Sequence, residues 1–419
     1  MTNPHLLHRQ PQAAVAQSGC RFFLGKNQRS IWKLWAAPSK SPNPHVHNTL
    51  KLYLIAGEAS GDLHGSNLIK ALRQQRPDLH CRIWGGDLMQ AAGGDLVKHY
   101  RDLAFMGFVE VLKNLCTILG NLAFCKRDIL EYQPDALVLI DYPGFNLRIA
   151  RWAKQQGIRV VYYISPQIWA WHQSRVHAIR RDVDQMLVIL PFEQDFFKKH
   201  GMEVKFVGHP LLDAVKGGGG SAESETPSAL RSPPSSLIAL LPGSRRQEVQ
   251  RILPVMLSVV PFFPEYRFVV AGASSLPADF YQPFLGKYPD VEWVQGATYE
   301  LLRQAQAALV KSGTSTLETA LFGVPQVVCY AGNPVSYAIA KRVVKVRYIS
   351  LVNLILDRPL VQELIQDELN TNNLRAALTE VLSPPGSEIL RAGYKELCHR
   401  LGNGGASERA ASAILSGIE

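Results

Sequence analysis

Residues 52–72 read LYLIAGEASGDLHGSNLIKAL, and three changes of character along them set the fold. The run 52–55 is short and apolar, as a strand buried on both faces of a parallel sheet must be. A glycine-containing turn follows at 56–62. Leu68, Ile69 and Leu72 then recur at helical spacing. Strand, turn and helix in that order open a βα unit, and such sheets place ligands beyond the carboxyl ends of their strands.

The unit repeats down the chain. Apolar runs at 136–140, 160–164 and 186–190 alternate with helical stretches such as 147–156. The rhythm restarts with runs at 237–241, 268–271, 307–310 and 326–329. Alternation of this kind predicts α/β architecture with doubly wound parallel sheets. Between the two series lies GGGGSAESETPSALRSPPSS, residues 217–236, a flexible Gly/Ser/Pro linker that cannot form a core. It divides a first half, 49–216, from a second, 237–419. The 419 residues also exceed one ordinary domain of about 100–200. Two Rossmann-like halves facing across a cleft is the arrangement called GT-B. The final helical stretch, 388–418, is expected on either half or on a partner subunit.

Composition narrows the class. No apolar run reaches the roughly 18 residues of a membrane-spanning helix, so a soluble or peripheral protein is expected. Cys20, Cys81, Cys116, Cys125, Cys329 and Cys398 are scattered without a Cys-x-x-Cys pair. That spacing argues against a zinc site or disulfide framework and suits a reducing compartment. The net charge of +10 is uneven: residues 1–48 hold six basic residues and no acid, leaving 39 basic against 35 acidic elsewhere. The leader is read as a transit peptide for an organelle, a disordered extension, or a start codon assigned too early. No aromatic–basic interleaving or known motif indicates nucleic acid as a partner.

Three strand-to-helix junctions carry residues suited to chemistry. At the first, Glu58, Ser60 and Asp62 sit in the 56–62 turn, where glycine lets a ligand approach the backbone. The plainer reading is a tight turn with Asp62 capping the following helix. Asp141 directly follows the 136–140 strand, at the sheet's carboxyl edge. There it serves either as a base for an attacking sugar hydroxyl or as a cap for the next helix. In the second half, Gly243, Ser244 and Arg245 combine helix-start amides with a guanidinium, a ready diphosphate site. Ser312, Gly313, Thr314 and Ser315 form a comparable turn. Glu318 then either accepts hydrogen bonds from a ribose or simply favours the helix dipole.

Other features are weaker. Asp182-Val183-Asp184 matches the DxD pattern of metal-dependent transferases but reads better as a solvated basic loop. His64, His172, His177 and His209 are isolated in sequence, and only His209 is well placed for the cleft. The segment 105–124 is unusually apolar, and 341–347 gathers four cations. They suit an acyl chain or bilayer and phosphate headgroups, or else a buried core helix and a solvated face.

These residues together resemble the lipid-A-disaccharide synthase family. AGEASGD (56–62) is similar to its opening signature, and LAFMGFVEVL (103–112) to its LAxMGxVEVL segment. SPQIWAW (165–171), LPFE (190–193), GHP (208–210), 240–245, 312–318 and 340–353 also match, in order. The resemblance implies a cytoplasmic GT-B enzyme, peripheral at the inner membrane. UDP-2,3-diacylglucosamine would be donor and 2,3-diacylglucosamine 1-phosphate acceptor, giving a β-1,6-linked disaccharide phosphate and UDP with inversion. It makes Asp141 catalytic. UDP would contact Gly243, Ser244, Arg245, Ser312, Gly313, Thr314, Ser315 and Glu318. Glu58, Ser60, Asp62, Trp169, His209 and Asn353 would line the cleft, and Phe105, Met106, Phe108, Val109 and Leu112 would face acyl chains and membrane. No cofactor or metal is implied, and a homodimer with exchanged C-terminal segments is. Three departures stand out. The family's AGPRMQAEG appears as WGGDLMQAAG (84–93), Gly144 replaces the second acid of IDxPDFN, and His172 stands where arginine is common. The residue pattern leaves two other readings open: a GT-B enzyme acting on a different lipid or as an epimerase, and a non-catalytic UDP-sugar-binding protein at the membrane.

Overall fold

The computed structural model describes residues 49–103, 115–171, 173–216, 236–334, 337, 341–342 and 346–418. The leader 1–48, the linker 217–236 but for Ser236, His172 and the five residues expected to face acyl chains (Phe105, Met106, Phe108, Val109 and Leu112) lie outside these. Among the described residues there are two parallel sheets. Strands β1 (Lys51–Ala56), β2 (His80–Gly85), β3 (Asp95–His99), β4 (Ala136–Ile140), β5 (Arg159–Tyr163), β6 (Gln185–Val188) and β7 (Lys205–Phe206) form the first, in order β3-β2-β1-β4-β5-β6-β7. Strands β8 (Leu237–Leu241), β9 (Arg267–Gly272), β10 (Glu292–Gln295), β11 (Ala307–Lys311), β12 (Gln326–Tyr330) and β13 (Gln362–Ile365) form the second, in order β10-β9-β8-β11-β12-β13.

The expected apolar runs are the central strands. β1, β4 and β8 are buried essentially end to end because helices cover both faces. β2, β3, β7, β10 and β13 were not expected. β3, β10 and β13 carry partly exposed positions, and β7 is two residues long, so none shows a continuous apolar run.

The chain order of each sheet reverses once, between β1 and β4 in the first and between β8 and β11 in the second. Those reversals open the crevices where parallel sheets bind ligands. Thr49–Glu419 form one compact unit, with connections between the two sheets. The short helix Leu211–Lys216, which follows β7, packs against Thr314–Leu321, which follows β11. The expected single C-terminal helix is in fact two, Pro384–Leu401 and Ala406–Ile418. Gly402 (φ +81°) and Gly405 (φ +86°) break it, in backbone conformations that favour glycine. The last helix returns to the first half and packs on Ala59–Gln75, and Gln185 Nε2 donates to the Ala413 carbonyl at 2.8 Å.

No helix among the described residues is long and apolar enough to cross a membrane. Cys81, Cys125 and Cys329 are buried in the apolar interior and Cys398 is half-buried. Burial raises the Cys81 thiol to about 12, so it is inert at neutral pH.

Candidate active site

At the first crevice, β1 and β4 run in register, Ala56 beside Ile140. The Asp141 amide continues the ladder to Tyr163 at 3.1 Å, and the chain then turns sharply. Asp141 (φ +44°) and Tyr142 (φ +50°) are both left-handed, a conformation costing about 1–3 kcal/mol per residue. Next door, Ile164 has φ +68° at the end of β5, a real outlier for a β-branched residue.

Packing enforces the turn. Buried Asn146 donates Nδ2 to the carbonyls of Asp141 (2.8 Å) and Ile140 (3.2 Å), while the Tyr162 hydroxyl donates to the Asp141 carbonyl at 2.6 Å. The Tyr142 ring lies over Gly57, where an added Cβ would come within 2.3 Å of it. Pro143 then opens the helix Pro143–Gln155, whose N-cap is Tyr142. The N-cap position is therefore Tyr142 and not Asp141, which precedes it. Burial and, less strongly, the Glu58 charge raise its carboxyl to about 6, against a pull downward from the Tyr142 amide.

Several expected cleft residues have other partners. Asp62 is buried and accepts from the amides of Gly86 (2.8 Å), Leu88 (3.1 Å) and Met89 (3.0 Å). It therefore caps the next helix, Asp87–Ala91, rather than its own. Asn353 is buried, donates to the Val361 carbonyl and Glu363, and accepts from the amides of Leu360 and Val361. Its amide group holds a loop, and no capacity is evident for a sugar. Trp169 gives its indole N–H to Glu193 at 3.3 Å. Buried Glu193 also accepts from the amides of Ile189 and Leu190, and burial raises its carboxyl to about 7. Glu58 is half-buried and Ser60 exposed, with no side-chain cap at Glu58. His209 is buried beside His64; burial, then His64, lowers His209 to about 3, and burial lowers His64 to about 4. Both imidazoles are neutral. His64 Nδ1 is buried with no hydrogen-bond partner.

The second crevice has a different character. β8 and β11 are in register, Leu241 beside Val310, so their carboxyl-end loops adjoin. Gly243 (φ +109°) holds a backbone conformation that favours glycine, and its nearest neighbour is the flexible end of Glu248, 2.7 Å from where a Cβ would sit. Arg245 is the N-cap of Arg246–Leu257, and its side chain is 60% exposed. Lys311, absent from the expected set, ends β11 and pairs with Glu248 at 2.9 Å. Gly313 is the N-cap of Thr314–Leu321. Ser312 gives its hydroxyl to the Ile349 carbonyl at 2.8 Å, leaving Thr314 as the exposed hydroxyl of that turn. Glu318 is half-buried, accepts from the Tyr299 hydroxyl, and is raised by burial.

Asp182 and Asp184 lie at the opposite, amino-terminal edge of the first sheet, before β6. Asp182 is buried and paired with Arg181, and Asp184 binds Lys154 and the Val160 amide. The expected solvated loop is thus two ion-paired carboxylates, and no group of three metal-ligating side chains occurs among the described residues.

Two Rossmann-like sheets, each with a crevice at its chain reversal, define a GT-B fold. A UDP-GlcNAc 2-epimerase from Neisseria meningitidis bound to UDP-GlcNAc superposes with TM-score 0.64 at 13% identity, covering 88% of this chain and 100% of that one. The glycosyltransferase of kitacinnamycin gives TM-score 0.61 at 16% identity, covering 90% and 100%. At sequence level the Lipid-A-disaccharide synthetase family model matches residues 52–415. A lipid-A-disaccharide synthase from Geobacter metallireducens is 41% identical over 372 residues, 87% of this chain and 96% of its own. The chain belongs to the lipid-A-disaccharide synthase family and is a glycosyltransferase of lipid A biosynthesis.

Proposed function

We propose that the enzyme transfers 2,3-diacylglucosamine from UDP-2,3-diacylglucosamine to 2,3-diacylglucosamine 1-phosphate. The products are the β-1,6-linked disaccharide 1-phosphate and UDP. One observation carries this reading: a strained, half-buried carboxylate at one crevice and an exposed guanidinium at a helix start in the other.

In the proposed step the acceptor's 6-hydroxyl attacks C1 of the donor sugar from the face opposite the nucleotide, inverting that centre. The bond from C1 to the β-phosphate oxygen breaks, and the electron pair leaves with UDP. Asp141 takes the hydroxyl proton. A carboxyl raised to about 6 is mostly ionised at neutral pH yet more basic than an ordinary aspartate, as a general base should be. Arg245, Lys311 and the amides opening Arg246–Leu257 and Thr314–Leu321 stabilise the charge gathering on the diphosphate.

The reading assigns the acceptor to the first half and the nucleotide to residues 237–401. The final helix, Ala406–Ile418, would move with the first half because it packs there. Phe105, Met106, Phe108, Val109 and Leu112 would meet the acyl chains at a membrane surface. Mass spectrometry of products from the purified protein, given UDP-2,3-diacylglucosamine and the acyl-glucosamine phosphate, tests the reaction. A new tetra-acyl disaccharide phosphate with one equivalent of UDP is expected. Release of UDP and free sugar alone would sink the assignment of acceptor.

A further inference from the structure

Tyr299 lies on the helix Thr298–Gln304, after β10, and Glu318 on Thr314–Leu321, after β11. The Tyr299 hydroxyl nevertheless donates to Glu318 Oε1 across 3.2 Å. The phenol is itself braced: its ring packs on Phe322 with centroids 5.2 Å apart, and the Arg303 guanidinium sits 5.5 Å above Phe322. Ser315, one turn earlier on the same helix, lies close enough to draw the Glu318 carboxyl's proton affinity down, against the larger effect of burial. An ionised carboxylate has about four acceptor positions. Tyr299 occupies one, so the remainder point in directions set by a contact from a second helix. A carboxylate immobilised in this way suits a pair of adjacent hydroxyls, because little rotamer freedom is lost when they bind.

We propose that Tyr299 is a positioning residue that turns Glu318 into a gauge for the ribose diol of the donor nucleotide. The pair would then discriminate ribonucleotides from deoxyribonucleotides. The inference rests on the reading of 312–318 as part of the nucleotide site. It adds a source of specificity from a helix that belongs to no phosphate-binding turn.

Binding of UDP and of 2′,3′-dideoxy-UDP to the full-length protein, by calorimetry, tests both layers. Wild type is expected to prefer UDP, and Glu318→Ala to lose that preference. Tyr299→Phe is expected to cut the preference about 10–150-fold, the scale of a hydrogen bond to a charged group, with affinity for the dideoxy ligand unchanged. In turnover the same variant should raise the donor KM and leave kcat within two- to three-fold. If Tyr299→Phe keeps the full preference while Glu318→Ala loses it, the positioning role is wrong and the nucleotide site stands. An equal loss for both ligands in Tyr299→Phe would assign the tyrosine to the fold alone and also overturn the proposal. Preference retained in Glu318→Ala would overturn the nucleotide reading and the inference together.

Discussion

The two crevices have the same topology and opposite chemistry. In the first, β1 and β4 bring Glu58 and Asp141 together, with two successive left-handed residues and a carboxyl held near 6. In the second, β8 and β11 bring together Arg245, at a helix start, and Lys311, at a strand end, both paired with Glu248. A base needs partial burial, which raises its affinity for a proton. A diphosphate site needs donors that reach solvent. In the proposed reading one kind of switch point serves both, because the side chains carried by the loops past the strand ends differ.

The sharpest way to break the contrast is at Asp141. Asp141→Ala is expected to lower kcat about 10²–10⁴-fold, with UDP affinity within a few-fold of wild type. Comparable losses of UDP binding would mean that the two crevices do not divide the labour. Next comes Arg245→Ala, expected to weaken UDP by about 1.5–3 kcal/mol while sparing the base. Calorimetry with UDP checks it, and unchanged affinity would remove Arg245 from the diphosphate.

The pH dependence sharpens the first crevice further. Asp141 must be ionised to act, so kcat/KM should fall on the acid side with a midpoint near pH 6. Stability has the opposite sign. A carboxyl raised from 3.8 to about 6 favours the fold below pH 3.8, and that contribution is lost as pH rises through 6. Above pH 6 the ionised group costs about 3 kcal/mol. Asp141→Asn should therefore stabilise the inactive protein at pH 8, in urea unfolding, with the gain shrinking toward pH 4. No gain at pH 8 would mean the carboxylate is not desolvated.

The smallest effect is expected at Gly144. It is exposed and a Cβ there meets nothing within 4 Å, so Gly144→Asp should change stability by less than about 0.5 kcal/mol. Any change in acceptor KM would then report substrate contact rather than folding.

Legibility followed burial. The 136–140 run matches β4 residue for residue, since a strand covered on both faces must be apolar throughout. β2 (HCRIWG) was hidden because Arg82 interrupts it, and that arginine is stabilised by a two-bond contact with Asp128 from a distant helix. Within the site, the residues immediately past strand ends were readable from spacing. Asn146, Tyr162, Lys311 and Tyr299 were not, because each acts on a residue remote from it or across an element boundary. Asp62 and Asn353 looked like ligand contacts for the converse reason: their partners lie 24 or more and 7–10 residues away, in segments with no visible link to them.

Local spacing alone therefore determined the α/β alternation, the central strands and the junctions at Asp141, Gly243 and Gly313, since periodicity and turn chemistry act between near neighbours. Only the tertiary structure decided which polar side chains at those junctions remain available. A hydrogen-bonding group has few positions to offer, and whether backbone amides from elsewhere fill them depends on packing that no short window of sequence contains.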